Sequence, residues 1–332
     1  MMAAEKNGAV WVIAELGGDQ IQPVSLQLLG KGRGLADQLQ VPLDCILLGN
    51  ETEGFARTLI KAGADRVYIG NDPQLSNYQP DLYLDIIQKL AHEHEPAIML
   101  LGSTFMGREL APLLAASLRT GLSAHCIDLM INEDMILEQI IPAYGGLITI
   151  ICPERRPQMA TVADGVFSLP AFSEQRKGEV VLVEVPQGIS QFVELVEVVQ
   201  IPKEGVALES ARVVVAGGAG ACDQEGWAEI TKLAEVLNAG LGSTRPAVDE
   251  GWTALETMIG QSGKMVNPEI YIGVGLSGEL QHMVGIAGAK VMIGINNDRK
   301  APIFKQVDYG IVEDCREFIP VLLKKLEEFG VE

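Results

Sequence analysis

Short apolar runs alternate along the chain with segments whose apolar positions recur at helical spacing. Residues 9–15, "AVWVIAE", read as a buried strand, and residues 23–39, "PVSLQLLGKGRGLADQL", as a helix weakened by its glycines. The alternation continues through "LDCILLG", "FARTLIKAG", "RVYIG", "DLYLDIIQKLAHE", "AIMLLG" and "GRELAPLLAASLRTG". Strands separated by helices of this length predict a parallel sheet covered by helices. After Gly121 the texture changes. "AHCIDLMI", "MILEQIIPAY", "GLITIIC", "QMATV" and "EVVLVEV" are strand-like with little helix between them, which predicts that the sheet is extended by antiparallel strands. Proline, glycine and charge interrupt the pattern at residues 201–211, "IPKEGVALESA", and a domain boundary is placed there, dividing residues 1–204 from 205–332. Beyond it, "RVVVAGG", "WAEITKLAEVLNAG", "IYIGVG", "KVMIGIN" and "FIPVLLKKLEEFG" predict a second doubly wound α/β unit.

Composition narrows the partners. The 332 residues are 48% hydrophobic and 21% charged, which excludes a disordered or fibrous chain. Acidic residues outnumber basic ones 44 to 25, a formal charge of −19 that argues against nucleic acid and anionic membranes as partners. Local main-chain N–H groups can still hold a phosphate in such a protein. Cys45, Cys126, Cys152, Cys222 and Cys315 include no CxxC pair, so neither a zinc site nor a secreted disulfide scaffold is expected. His92 and His94 belong to a polar helix end, and no metal site is assigned to them. No apolar run approaches the roughly 18 residues of a membrane span. The first residues lack the basic region and cleavage site of a signal peptide, and a cytoplasmic protein is expected.

Chemistry is expected where the strands of the second unit end. "VVVAGGAGACDQ", "YIGVGLSG" and "MIGINNDRKAP" finish in glycine or polar clusters, and ligands of open parallel sheets bind outside the carboxyl ends of the strands. "GVGLSG" (residues 273–278) fits G-x-G-x-x-G, and Asp298 lies about 20 residues beyond it, the spacing of a dinucleotide fingerprint. A tight turn serving no ligand is the competing explanation. "GLGSTRPAVDEGW" and "GQSGK" add hydrogen-bonding and cationic groups, with Arg245 able either to stack on an aromatic plane or to pair with Asp249 on the next turn. His282 is either a site residue or a satisfied core histidine.

The run "RVVVAGGAG", "GLGSTRPAVDEGW", "IGQSGKMVNPEIYIGVGLSGELQHMVGIAGAKVMIGIN" and "APIFKQVDYGIVED" resembles the α subunit of electron-transfer flavoproteins throughout the second unit. The first unit agrees more loosely, best at "GRELAPLLAASLRTGLSAHC". The resemblance implies a Rossmann/flavodoxin-like C-terminal domain that binds FAD and a structural N-terminal domain facing a separate β subunit. It places Arg245 over the isoalloxazine ring with Thr244 beside it, and Gln261 and Ser262 near the flavin N5 edge. Ser277, Gly278, Glu279, Leu280, Gln281 and His282 form the turn and helix start, with His282 near the N1–C2 oxygen end. Asn296 and Asp314 fall on the adenosine half, and Gly218, Gly260, Gly275 and Cys315 complete the implied cofactor-binding set. Glycine density in this region is then expected to let main chain approach the cofactor.

Arg245, Ser262 and, if protonated, His282 would tune the flavin. A cation about 5 Å from the reduced ring at an effective dielectric near 20 is worth ~3 kcal/mol, or ~130 mV. Two departures from the family stand out. Ala219 occupies the place of its usual arginine, and Ser262 that of a frequent threonine, a serine common among members that bifurcate electrons from NADH. The resemblance therefore implies an electron carrier without substrate chemistry, serving an acyl-CoA dehydrogenase-type flavoenzyme, or a subunit of a bifurcating complex with ferredoxin or flavodoxin as acceptor. The alternative is an NAD-dependent dehydrogenase using the GVGLSG turn.

Overall fold

The computed structural model describes residues 8–18, 20–143, 146–187, 195–199, 205–208 and 211–329. Two compact units comprise Met1–Val198 and Val199–Glu332. The boundary expected at 204/205 falls beside residues 200–204, which lie outside the described residues.

The first unit begins with β1 (Val10–Ala14), a two-stranded ribbon of β2 (Leu16–Gly17) and β3 (Gln20–Ile21), α1 (Pro23–Leu39), β4 (Leu43–Gly49) and α2 (Ala56–Ala62). β5 (Arg66–Asn71), α3 (Pro80–His94), β6 (Ile98–Gly102) and α4 (Phe105–Ser117) follow. It then runs through β7 (Leu122–Cys126), β8 (Asp128–Ile131), β9 (Leu137–Ala143), β10 (Gly146–Ile151), β11 (Gln158–Val162) and β12 (Glu179–Leu182). Seven strands form one sheet in the order β12-β5-β4-β1-β6-β11-β7, and every pairing in it is parallel.

Both faces of this sheet are covered, which is why β1 and β4 read as unbroken apolar runs. Val10, Val12 and Ala14 of β1 pack on one face with Leu28 and Leu29 of α1, while Trp11 and Ile13 pack on the other with Ile86 and Leu114. Asp44 is the fully buried exception in β4. The Arg66 guanidinium forks onto its two oxygens at 2.9 and 2.8 Å, and the Trp11 indole N–H donates to it at 3.3 Å. A buried carboxylate without such partners would be strongly destabilising. The expected antiparallel strands are present, but they form a sheet of their own, β10-β9-β8, while "QMATV" and the start of "EVVLVEV" join the main sheet in parallel. Alternating pattern alone does not distinguish an added parallel strand from an antiparallel one.

The second unit contains β13 (Val213–Gly217), α5 (Gln224–Val236), β14 (Gly240–Ser243), α6 (Arg245–Asp249), β15 (Ile270–Val274), α7 (Leu280–Met283), β16 (Val291–Asn296), β17 (Tyr309–Val312) and α8 (Cys315–Glu328). Its five strands pair in parallel in the order β14-β13-β15-β16-β17. Asp223 and Asp314 cap α5 and α8, accepting from Gly226 N–H and Arg316 N–H at 2.9 Å each. Apolar residues of these helices, among them Trp227, Ile230, Ile319 and Leu323, cover one face. The other face is covered by Ile259, Val266, Met283, Ile286 and Ile303, which come from loops and short turns. Strand order reverses between β13 and β15, so the crevice for a ligand opens at their carboxyl ends.

Candidate functional site

The loops leaving β13, β14, β15 and β16 line a cleft of about 510 Å³ at that crevice, within the roughly 300–1,000 Å³ typical of small-molecule sites. Thr244, Arg245, Gly260, Gln261, Ser262, Gly275, Ser277, Gly278, Glu279, Gln281, His282 and Asn296 all border it. Four residues of the expected set do not. Asp314 caps α8 and pairs with Arg316 at 3.2 Å, Cys315 is buried behind the β13 loop, Gly218 lies beneath it, and Leu280 is exposed on α7.

Residues 218–220 and 275–278 are pressed together. Gly220 N–H donates to Gly275 O at 2.7 Å, and a Cβ on Gly220 would stand 2.6 Å from Gly275 Cα. Gly278 has φ +81°, and a Cβ there would stand 2.5 Å from Ile303 N. Packing of loop against loop is thus reason enough for these glycines whatever the cleft holds. Their effect on the site is indirect. With the loops locked, the N–H groups of Ser277, Gly278 and Glu279 meet no acceptor among the described residues and remain on the cleft lining as donors.

The neighbouring loop is held by the same economy. Ile259 N–H donates to Ser243 O at 3.0 Å, Gln261 N–H to Gln281 O at 2.7 Å and Lys264 N–H to Met258 O at 2.8 Å, which presents exposed Gln261 and Ser262 at the rim. Asn296 spends its amide on the scaffold, donating to Leu276 O at 2.8 Å and accepting from Asp298 N–H at 2.8 Å. Thr244 N–H donates to Gly217 O at 2.9 Å, whereas its buried hydroxyl has no partner. A buried hydroxyl left unpaired is costly, so a ligand acceptor or donor at this position would be favoured. Arg245 is 73% exposed and its Nε lies 3.3 Å from Asp249, so the expected alternative partner is present and the charge is shared with solvent.

His282 meets the satisfied-core alternative while still bordering the cleft. It is 7% exposed; Tyr271 OH lies 2.6 Å from Nε2 and Ile259 O 3.1 Å from Nδ1. The carbonyl can only accept, so Nδ1 carries the proton and Nε2 accepts from the phenol. Burial lowers the imidazole pKa to about 4, with the Ile259 carbonyl opposing it. The ring is neutral and contributes no positive charge to the cleft. Nor does a carboxylate orient it, as a dehydrogenase base would require.

Sequence reasoning missed part of the lining: Ala301 and Pro302, which arrive from beyond β16, and Met258, Ile259 and Leu276, apolar flanks of the polar motifs. Their only signal was adjacency to those motifs. The apolar walls, the unpaired hydroxyl, the open N–H groups and Arg245 together fit a ligand with a planar ring and anionic parts, and FAD has both. A groove of about 540 Å³ in the first unit is less suited to an anion, because Lys31, Arg33, Lys61 and Arg176 on its lining are each paired with a carboxylate.

Comparison with known proteins agrees with this geometry. The family described as electron transfer flavoprotein domain matches residues 10–187, and that described as electron transfer flavoprotein FAD-binding domain matches residues 207–287. The chain is 39% identical over 322 residues to the electron transfer flavoprotein subunit alpha of Thermoanaerobacterium thermosaccharolyticum, covering 96% of this chain and 98% of the relative. It is 41% identical over 334 residues to Protein FixB of Clostridium saccharobutylicum, covering 99% and 98%. Identity is 33% over 356 residues with the acryloyl-CoA reductase electron transfer subunit beta of Anaerotignum propionicum, covering 96% and 95%.

Proposed function

The chain belongs to the electron transfer flavoprotein family, and on that premise we propose that it is the FAD-holding α subunit of a heterodimer carrying electrons between an acyl-CoA dehydrogenase-type flavoenzyme and a second redox partner. The observation that carries this reading is the convergence of four strand-end loops on one cleft inside the unit that matches the FAD-binding domain. FAD supplies one- and two-electron chemistry when bound. The chain's own residues bind it and set its surroundings. The Thr244 hydroxyl and the N–H groups of Ser277, Gly278 and Glu279 offer hydrogen bonds, and Met258, Ile259 and Leu276 exclude water. Gln261 and Ser262 close the rim. Arg245 supplies positive charge, moderated by Asp249 and solvent, while neutral His282, clamped between Tyr271 and Ile259, keeps the α7 turn in register.

A β subunit completes the heterodimer, and the protein acts in the cytoplasm. Among the described residues no helix is long and apolar enough to cross a membrane. The kinship with an acryloyl-CoA reductase electron transfer subunit supports an acyl-CoA flavoenzyme as partner, and the serine at position 262 favours an NADH-dependent bifurcating system with ferredoxin or flavodoxin as low-potential acceptor. Coexpression with the cognate β subunit tests the core of the reading: the two chains copurify as a yellow complex whose extracted cofactor is FAD. A colourless complex that binds NAD tightly would overturn it. Stopped-flow reduction by NADH with and without ferredoxin tests the bifurcating extension separately.

A further inference from the structure

Two thiols converge behind the wall of the cleft. Cys222 ends the turn that follows β13, is exposed, and holds the main chain at φ +68°. Cys315 opens α8 and is only 6% exposed. Their sulfurs donate to one and the same acceptor, Gly220 O, at 3.3 Å from Cys222 Sγ and 3.2 Å from Cys315 Sγ. The two sulfurs can therefore lie no farther apart than those lengths laid end to end. Cys45, Cys126 and Cys152 belong to the first compact unit.

We propose that Cys222 and Cys315 form a reversible dithiol–disulfide pair, a modification site for low-molecular-weight disulfides. Neither residue borders the cleft, although Gly220, the acceptor both sulfurs share, does. The division of labour follows exposure. Cys222 thiolate is the accessible nucleophile and attacks one sulfur of the oxidant, releasing the first thiolate and leaving a mixed disulfide on Cys222. Cys315, having lost its proton, attacks the Cys222 sulfur and releases the second thiolate. Two protein thiols are oxidised, one disulfide is reduced to two thiols, and the two protons leave with them. Closing the bond requires the sulfurs, both now turned to Gly220 O, to approach to about 2.05 Å, and exposed Cys222 is the side chain with room to turn. The bond would tie the turn behind Gly220 to the start of α8.

The test uses the full-length protein incubated natively with oxidised glutathione, blocked with iodoacetamide and digested without reduction for mass spectrometry. The expected product is the Cys222 peptide joined to the Cys315 peptide with loss of two hydrogens, reversed by dithiothreitol, together with the loss of two titratable thiols per chain. In Cys315→Ser the glutathione stays on Cys222 as a stable mixed disulfide, and in Cys222→Ser the Cys315 thiol stays reduced over the same interval. A wild-type protein that accumulates glutathione on Cys222 while Cys315 is alkylated would overturn the proposal. So would a disulfide from either residue to any other cysteine.

Discussion

Lowering the pH from 7 to 4.5 should destabilise the second unit through His282. The unfolded imidazole titrates near its ordinary 6.5, whereas in the fold burial between Tyr271 and Ile259 brings it to about 4. Above pH 6.5 both states are neutral and the group contributes nothing. Between 6.5 and 4 the unfolded chain takes up a proton that the folded chain refuses, so stability falls as pH falls. The full loss below pH 4 is roughly 3 kcal/mol, and about 2.5 kcal/mol of it has accrued at pH 4.5. Glu15, in the first unit, runs the other way. Burial raises its carboxyl to about 7 against the Thr104 hydrogen bond, so that unit loses stability as pH rises from 4.5 towards 7. A unit-specific readout is therefore needed. Hydrogen exchange at the buried amides of β15, compared between wild type and His282→Gln at pH 7 and 4.5, isolates the imidazole. The variant should lose about 2.5 kcal/mol less than wild type over that interval, and the His282 ring signals in NMR should stay unchanged until the pH is well below 6. An imidazole that titrates at 6.5 or above, or an identical pH slope in the variant, would refute the neutral clamp.

Thr244→Val removes a hydroxyl that has no partner in the chain. Denaturant unfolding of the cofactor-free protein should show equal or greater stability, while flavin affinity falls by roughly 3- to 10-fold in a fluorescence titration. A loss of stability without loss of affinity would assign the hydroxyl to the scaffold instead. Gly278→Ala forces a side chain into a left-handed conformation against Ile303 N and should cost at least ~2 kcal/mol in urea unfolding. Arg245→Ala should lower the one-electron potential of the bound flavin by roughly 40 mV, because an exposed, paired cation is worth about 1 kcal/mol and not the ~3 kcal/mol of an isolated one. A spectroelectrochemical titration that finds no shift, or an upward one, counts against that role.

Local pattern was enough to read much of this protein. Apolar strands alternating with amphipathic helices identified two doubly wound units, because each element's periodicity is written in its own residues. The polar and glycine clusters at strand ends located the cleft, because parallel sheets present all their carboxyl ends on one edge. The order of the GQSG and LSGELQH motifs carried the family resemblance. Tertiary structure decided what depends on residues distant in sequence. Whether "QMATV" pairs in parallel, and whether β8, β9 and β10 join the main sheet, rests on strand register and connection. The glycines of the 218–220 and 275–278 loops answer to each other across about 55 residues, a contact no local motif reveals. The charge of His282 depends on burial and on Tyr271 and Ile259, and how strongly the Arg245 guanidinium acts on the cleft depends on its exposure and on Asp249. A side chain's identity is local, but its protonation and free hydrogen-bonding capacity are set by the neighbours that folding brings to it.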